Sequence, residues 1–262
     1  MEHQADHQAF VRILGASDAT ASAACDHTCF TVGDRILVDV CPTATLSLMA
    51  VGIDPTELGA ICFTHLHADH CMGLAPLLEN IWFKKRDLSN LKIYGPTATL
   101  RRVYETVQGF FTACDGKRLH PEPELIEIEG NTCFDLCGYT VSTMNSDHAV
   151  PGLCYTFTDK ETGKRIGVTG DTCYLPAFPD FFRHSDLLLH ECSYGSGPLP
   201  EGNARNRHSS AREAVRVAEE AHVGKLLLIH CRREWRAEAI AYAEAHAPCS
   251  AEWATPGSIF KA

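Results

Sequence analysis

The sequence predicts an α+β fold in which helices cover a sandwich of two β-sheets. Three observations predict it. Apolar, strand-like stretches recur along most of the chain, helix-capping patterns fall between some of them, and metal-binding residue types follow the ends of several stretches. With 262 residues, of which 45% are hydrophobic and 21% charged, we expect one domain over residues 1–262.

The predicted strands are short runs rich in β-branched, aromatic and aliphatic residues, bounded by turn-forming residues. They comprise residues 10–14, 29–32, 35–39, 60–64, 92–94, 125–128, 139–145, 153–158, 165–169, 187–190 and 225–230. Many such runs without a repeat or a linker favour a fold in which distant segments of the chain build one site.

Two capping patterns predict helices between these strands. Asp54-Pro55-Thr56-Glu57 combines a capping side chain with proline at the first helical position, and Ser210-Ala211-Arg212-Glu213 is a capping box. The second pattern opens an alanine-rich face and is predicted to end at Gly224. A third helix is expected after Gly73.

Charge and cysteine usage exclude several classes of protein. The formal net charge of −10 predicts a surface that repels polyanions, so long nucleic acid would need a local basic patch. Lys84-Lys85-Arg86 is interpreted as solvated surface charge, whereas Arg232-Arg233 stays open because it follows a candidate metal ligand. The thirteen cysteines are scattered, which argues against a disulfide framework, and Cys25-Asp26-His27-Thr28-Cys29 lacks the second half of a zinc site.

Membrane insertion and export are not expected. No apolar run approaches the roughly 18 residues needed to span a bilayer, and Met1-Glu2-His3-Gln4-Ala5-Asp6 lacks the features of a signal peptide. We therefore expect a soluble, cytoplasmic protein.

The strongest chemical signal is Thr64-His65-Leu66-His67-Ala68-Asp69-His70 at the end of a predicted strand. His65 and His67 are two residues apart, so an extended backbone places both side chains on one side, where they can hold one ion. Asp69 and His70 follow the turn of the chain and point elsewhere, so they can serve a second ion. The motif predicts a dinuclear metal site.

Single residues at later strand ends can complete this site. His148, Asp171 and His230 each follow an apolar strand. We predict that His148 completes the ligands of the first ion and that His230 completes those of the second. Asp171 is predicted to offer one carboxylate oxygen to each ion. Nitrogen and oxygen ligands fit two divalent cations, with zinc expected and manganese or iron as alternatives.

With these motifs the chain resembles the metallo-β-lactamase superfamily, and within it the ribonuclease Z-like phosphodiesterase branch. The resemblance covers nearly the whole length. Besides the histidine motif it rests on these further pieces: Asp39, Ile93-Tyr94-Gly95-Pro96, Gly170-Asp171-Thr172, His190-Glu191-Cys192-Ser193, His208-Ser209-Ser210 and His230.

The resemblance implies a four-layer αββα sandwich with two metals at one edge. It implies that a metal-bridging hydroxide attacks phosphorus, that His208 acts as general acid, and that Glu191 orients His208. Asp69 is expected to act both as a metal ligand and as a catalytic residue. Asp39 is expected to support a ligand histidine without touching metal.

One difference between this sequence and the branch limits the class of substrate that we expect. Ribonuclease Z carries a long arm for tRNA, in many members between the positions of His148 and Asp171, whereas here only residues 149–170 lie there. We therefore expect a small phosphodiester, with cyclic nucleotides as the leading choice. Arg232 or Arg233 could hold phosphate, and an aromatic side chain, Trp235, Tyr194 or Phe178, could stack on a base.

Three alternatives remain open. The chain could process tRNA 3′ ends without the arm, it could hydrolyse a lactone or ester on the same scaffold, or it could be a binding protein that has lost activity. The lactonase hypothesis gives no reason for His208 and Glu191, and a degenerate protein would be expected to lose ligands. A homodimer is expected from the branch.

Overall fold

A sandwich of two β-sheets forms the centre of the molecule. The computed structural model describes residues 8–262, apart from the side chain of Asp115, and each sheet contains seven strands. The first sheet consists of β1 (Phe10–Gly15), β2 (Cys29–Val32), β3 (Ile36–Val38), β4 (Ala60–Cys62), β5 (Lys92–Pro96), β6 (Glu124–Ile128) and β14 (Ile259–Lys261). Its order is β14-β1-β2-β3-β4-β5-β6, antiparallel up to β3 and parallel from β3 to β6.

The second sheet repeats this plan. It consists of β7 (Cys133–Leu136), β8 (Tyr139–Asn145), β9 (Leu153–Asp159), β10 (Arg165–Val168), β11 (Leu187–Glu191), β12 (Lys225–Ile229) and β13 (Ser250–Trp253). Its order is β13-β12-β11-β10-β9-β8-β7, antiparallel from β7 to β10 and parallel from β10 to β13. In each sheet the parallel strands end at one edge, so residues that follow those strands can converge there.

Helices cover the outer face of each sheet. They are α1 (Ala44–Ala50), α2 (Ala68–Cys71), α3 (Leu74–Lys85), α4 (Leu100–Asp115), α5 (Phe178–Phe181), α6 (Asn203–Asn206), α7 (Ala211–Glu220) and α8 (Arg233–His246). Leu48, Leu77 and Tyr104 of α1, α3 and α4 pack on the first sheet, and Ala214 and Ala239 of α7 and α8 pack on the second.

A third apolar cluster lies between the sheets, where Val11 and Phe30 face Tyr155 and Leu189. Burial on both faces of each sheet explains the nearly continuous apolar runs of the central strands. The layers are therefore helix, sheet, sheet and helix, which confirms the predicted αββα fold class.

The local predictions are largely confirmed. Each stretch predicted as a strand is a strand, with ends shifted by a residue or two, and the capping box at Ser210 and Glu213 opens α7. That helix ends at Glu220, before the predicted stop. The pattern at Asp54 forms only a 3-10 turn, Pro55–Glu57, because the chain must extend again to enter β4 at Ala60. Strands β7, β13 and β14 and helices α1, α2, α4, α5, α6 and α8 were not predicted.

Two further observations bear on the expectations from composition. None of the helices in the described part is long and apolar enough to cross a membrane. The first six residues, examined for a signal peptide, lie outside the described residues. His27 pairs with Asp26 (Nδ1 to Oδ1, 2.8 Å), and Cys25 and Cys29 are buried thiols. Within residues 8–262, the clusters able to hold a metal all lie elsewhere.

Candidate metal centre

Three histidines converge at the edge of the sandwich, and we call His65, His67 and His148 the three-histidine group. Their ligand atoms lie within 4.8 Å of one another. His67 Nδ1 is 3.1 Å from His65 Nε2 and 3.1 Å from His148 Nε2.

The outer nitrogens of two of these rings have partners behind them. His65 Nδ1 can donate to Thr64 Oγ1 (3.2 Å), and His148 Nδ1 to the carbonyl oxygen of Arg207 (3.2 Å). When Nδ1 of a neutral imidazole carries the proton and donates it, Nε2 has a free lone pair, which here points to the centre. Three ring nitrogens thus converge at one point, and this arrangement fits a metal ion.

A second cluster, which we call the mixed group, consists of Asp69, His70 and His230. Asp69 and His70 lie on α2, directly after the first two histidines, and His230 follows β12. His70 Nε2 and His230 Nε2 lie 3.5 and 3.6 Å from Asp69 Oδ2. Both nitrogens are buried and, among the described residues, have no hydrogen-bond partner, which is the condition expected of metal ligands without their metal.

Carboxylates lie behind the mixed group. Asp39 accepts a hydrogen bond from His70 Nδ1 (2.7 Å) and also accepts the backbone N–H and hydroxyl of Thr64. Asp39 is fully buried and its side chain points to His70 rather than to the centre, as predicted for a supporting residue. Such a partner fixes the ring and raises its basicity.

Asp171 lies between the two groups. Its Oδ2 is 3.6 Å from His65 Nε2, 3.7 Å from His70 Nε2 and 3.3 Å from His230 Nε2. One carboxylate therefore reaches nitrogens of both groups, as a bridging ligand must. The structure brings all seven predicted ligands together, while their role as ligands stays a prediction.

The pKa values of the histidines differ between the two groups. Burial and the neighbouring histidines lower the pKa of His65, His67 and His148, which favours the neutral form that binds metal. Burial also opposes charge on His70 and His230, but the nearby carboxylates outweigh it and raise both pKa values, that of His230 to about 10.

Glu191 and His208 form a pair beside this centre. His208 Nδ1 is 3.0 Å from Glu191 Oε1 and 3.8 Å from Asp171 Oδ2. Burial alone would lower the pKa of His208, but the charge and hydrogen bond of Glu191 raise it above the ordinary value. Asn203 holds the backbone of His208 from both sides, by its Oδ1 (2.9 Å) and its Nδ2 (2.9 Å). With Nδ1 turned to Glu191, Nε2 is the nitrogen left to serve a substrate.

Ser193 is a site residue that the sequence reasoning missed. Its hydroxyl donates to Glu191 Oε2 (2.6 Å) and accepts from His230 Nδ1 (2.9 Å), so it connects the mixed group to the Glu191–His208 pair. The signal was present in the motif His190-Glu191-Cys192-Ser193, where a hydroxyl occupies the last position.

A cleft of about 220 Å³ opens onto the centre. Arg232, Trp235 and Tyr194 line it together with His208 and Asp171. Two residues considered for substrate contact do not line it. Phe178 is wholly buried because α5 packs its ring against Phe182 in the outer core, so the idea that it stacks on a base is wrong, and Arg233 lies on the exposed side of α8.

The segment where an arm would be inserted is a tight hairpin. Strands β9 and β10 are joined at Asp159, whose Oδ1 accepts the backbone N–H groups of Glu161 (3.0 Å) and Thr162 (2.7 Å). Residues 149–170 therefore contain no such arm, as the sequence predicts.

Comparison with known proteins agrees with this geometry. A ribonuclease Z of Thermoplasma acidophilum is 27% identical over 220 residues, which cover 66% of this chain and 69% of that protein. The metallo-β-lactamase fold protein YhfI of Bacillus subtilis superposes with a TM-score of 0.80 at 22% identity and covers 98% of this chain and 100% of its own. Human tRNase Z, short form, superposes with a TM-score of 0.74 at 19% identity, and the superposition covers 96% of this chain and 98% of that chain.

Fold and site together define the class of this protein, a metal-dependent hydrolase of the metallo-β-lactamase fold. The family follows from a sequence model. The model described as anti-Pycsar protein Apyc1 matches residues 11–246, so the chain belongs to this family.

Proposed function

We propose that the protein is a two-metal phosphodiesterase that hydrolyses small phosphodiesters, with cyclic mononucleotides as the preferred substrates. The observation that carries this proposal is the position of Asp171, within 4 Å of nitrogens from both ligand groups and of the Glu191–His208 pair. When bound, two divalent cations lower the pKa of a water molecule and offset charge on phosphoryl oxygens. His65, His67 and His148 would hold one, and Asp69, His70 and His230 the other.

The residues of the chain supply the proton. Water adds to phosphorus and releases one proton to solvent, one ester P–O bond breaks, and the leaving oxygen takes a proton from His208, which regains a proton from solvent. An alkoxide is a poor leaving group unless it is protonated, so a histidine kept protonated by Glu191 suits a ribose ester. Because hydrolysis of a lactone also expels an alkoxide, parallel assays with a lactone and a phosphodiester distinguish a phosphodiesterase from the lactonase alternative.

The substrate class has two further supports. The hairpin at Asp159 takes the place of an arm that would hold tRNA, and aromatic and arginine side chains that a nucleotide could contact line the cleft. The family description, anti-Pycsar, suggests the degradation of cyclic nucleotides. We expect zinc as the metal.

A panel of cyclic mononucleotides and dinucleotides, with identification of the products, tests this proposal. We expect metal-dependent opening of the cyclic mononucleotides to nucleoside monophosphates. The absence of metal-dependent turnover of both the panel and a chromogenic phosphodiester would overturn the proposal.

His208 gives a sharper test. We expect His208→Ala to slow hydrolysis of a cyclic nucleotide by about 100- to 10,000-fold, the usual contribution of a general acid, with metal content nearly intact. A p-nitrophenyl diester should be slowed much less, because p-nitrophenolate leaves without a proton. Equal slowing of both substrates would assign His208 a different role.

Cleavage of precursor tRNA is the second candidate, because a curated relative at 27% identity is a ribonuclease Z. The basic cluster gives it little support. Lys84 pairs with Asp54 (3.1 Å), Lys85 pairs with Glu57 (3.3 Å), and Arg86 lies over Trp82, so most of its charge is already offset. Cleavage of a precursor tRNA at a rate above that of cyclic nucleotides would favour this candidate.

A further inference from the structure

One end of the cleft is built around an arginine that the centre does not use. Arg232 comes two residues after His230, and its guanidinium lies over the Trp235 ring, 5.0 Å from the centroid. Its Nε is 3.4 Å from Asp18 Oδ2. The Arg232 side chain is 50% exposed, so one side of the planar group faces the cleft.

Asp18 is fixed in this position from behind. It is buried, and its other oxygen, Oδ1, accepts the backbone N–H of Thr20 (2.8 Å). The preceding residue, Ser17, accepts a hydrogen bond from Arg236 Nη2 of α8 (2.6 Å). The loop after β1 and the start of α8 are therefore tied together, and Asp18 holds Arg232 in place.

Gly195 allows Trp235 to pack closely against the segment that carries Tyr194. Its φ of +61° is in the left-handed region, and a Cβ there would lie 2.9 Å from Trp235 Cβ. The residue before it is Tyr194, whose ring contacts the His208 ring edge-on at 6.0 Å. Aromatic side chains from two segments, Tyr194 and Trp235, thus line the same cleft as His208.

This arrangement favours a flat organic group as the partner of Arg232. The guanidinium has one face on the Trp235 ring and a carboxylate at its edge, so its other face is the part left for a ligand. Arginine and tryptophan faces both stack on nucleobases, by cation–π and aromatic contacts.

We infer that Arg232 and Trp235, held by Asp18, bind the nucleobase of the cyclic nucleotide and so determine its KM. This inference rests on the proposed function and deepens it. It assigns base recognition to the end of the cleft formed by the loop after β1 and the start of α8, and leaves the phosphate to the metal centre.

The test compares each cyclic nucleotide with an analogue that lacks the base, the 3′,5′-cyclic phosphate of methyl riboside. For the unaltered protein we expect the nucleotide to have a KM at least about tenfold lower than the analogue, the order of one base-stacking contact. Arg232→Lys and Trp235→Leu should each remove most of this preference, chiefly through KM, while Trp235→Phe should retain it.

Arg233→Ala is the matched control, because Arg233 is the adjacent arginine and does not line the cleft. It should behave as the unaltered protein. Metal content measured for every variant separates a local effect from a loss of the centre.

The outcomes are distinguishable. If the analogue and the nucleotides are hydrolysed but Arg232→Lys or Trp235→Leu leaves the preference intact, the inference is wrong and the phosphodiesterase stands. If Arg232→Lys raises KM equally for both substrates, Arg232 binds phosphate instead, and the inference is wrong. If neither substrate is hydrolysed, the proposed function itself fails.

Discussion

The three-histidine group and the mixed group differ in what lies behind their ligands. His65 and His148 have neutral oxygen atoms directly behind them, the Thr64 hydroxyl and the Arg207 carbonyl, and His65 reaches the carboxylate of Asp39 only through Thr64. Carboxylates support the other group, Asp39 directly on His70 and Glu191 through Ser193 on His230.

This difference predicts unequal metal affinity. The mixed group contains a carboxylate of its own, Asp69, and Asp39 bonds His70 from behind, whereas the three-histidine group consists of imidazoles alone. A carboxylate ligand and an anionic partner behind a ligand histidine both strengthen the binding of a cation. We therefore expect the mixed group to fill first and the three-histidine group second.

The largest effect should come from Asp171, which both groups share. We expect Asp171→Asn to lower kcat/KM for a cyclic nucleotide by more than about 100-fold, beyond the roughly 10- to 100-fold cost of removing a residue behind a ligand. Metal analysis should show that fewer than two ions are retained. A variant that keeps two ions and its activity would mean that Asp171 does not bridge the groups.

The supporting residues give the next largest effect and compare the groups directly. Asp39→Asn should weaken metal binding by about 10- to 100-fold, because His70 loses its anionic partner. Thr64→Val should cost less, since it removes a neutral hydroxyl behind His65. Competition with a chromogenic chelator measures both affinities, and a larger loss for Thr64→Val would reverse the comparison.

Substitution of Ser193 should have the smallest effect of these. Its hydroxyl connects a predicted metal ligand, His230, to the proposed proton donor through Glu191. We expect Ser193→Ala to lower both metal affinity and the rate on an alkoxide-leaving substrate by about tenfold or less, and Ser193→Thr to restore both because it keeps the hydroxyl. A loss that threonine does not restore would indicate a packing defect at this buried position.

How far the sequence predicts this site depends on how local each signal is. The first four ligands lie within one short segment of the chain, so their spacing alone indicates two ions. They are His65, His67, Asp69 and His70. Residues at the ends of parallel strands could also be predicted, because an apolar strand followed by one polar residue is a local pattern. Their assignment to one ion or the other needed the resemblance to a known fold as a check.

Contacts between distant segments could not be predicted in this way. Ser193 bonds His230 across 37 positions, and Arg232 pairs with Asp18 from the other end of the chain. The missed elements have weak local signals for a related reason. In β13 and β14 only Ala251 and Phe260 are buried, and α4 and α8 begin without a side-chain cap. Tertiary packing, rather than local preference, stabilises these segments.

The most direct test of the shared dinuclear centre is a titration of metal-free protein with Zn²⁺, in which bound metal and hydrolysis of a cyclic nucleotide are measured together. The two groups predict two equivalents of unequal affinity, the first bound through Asp69, His70 and His230, with activity rising only as the second binds. Saturation of both binding and activity at one equivalent would contradict the account.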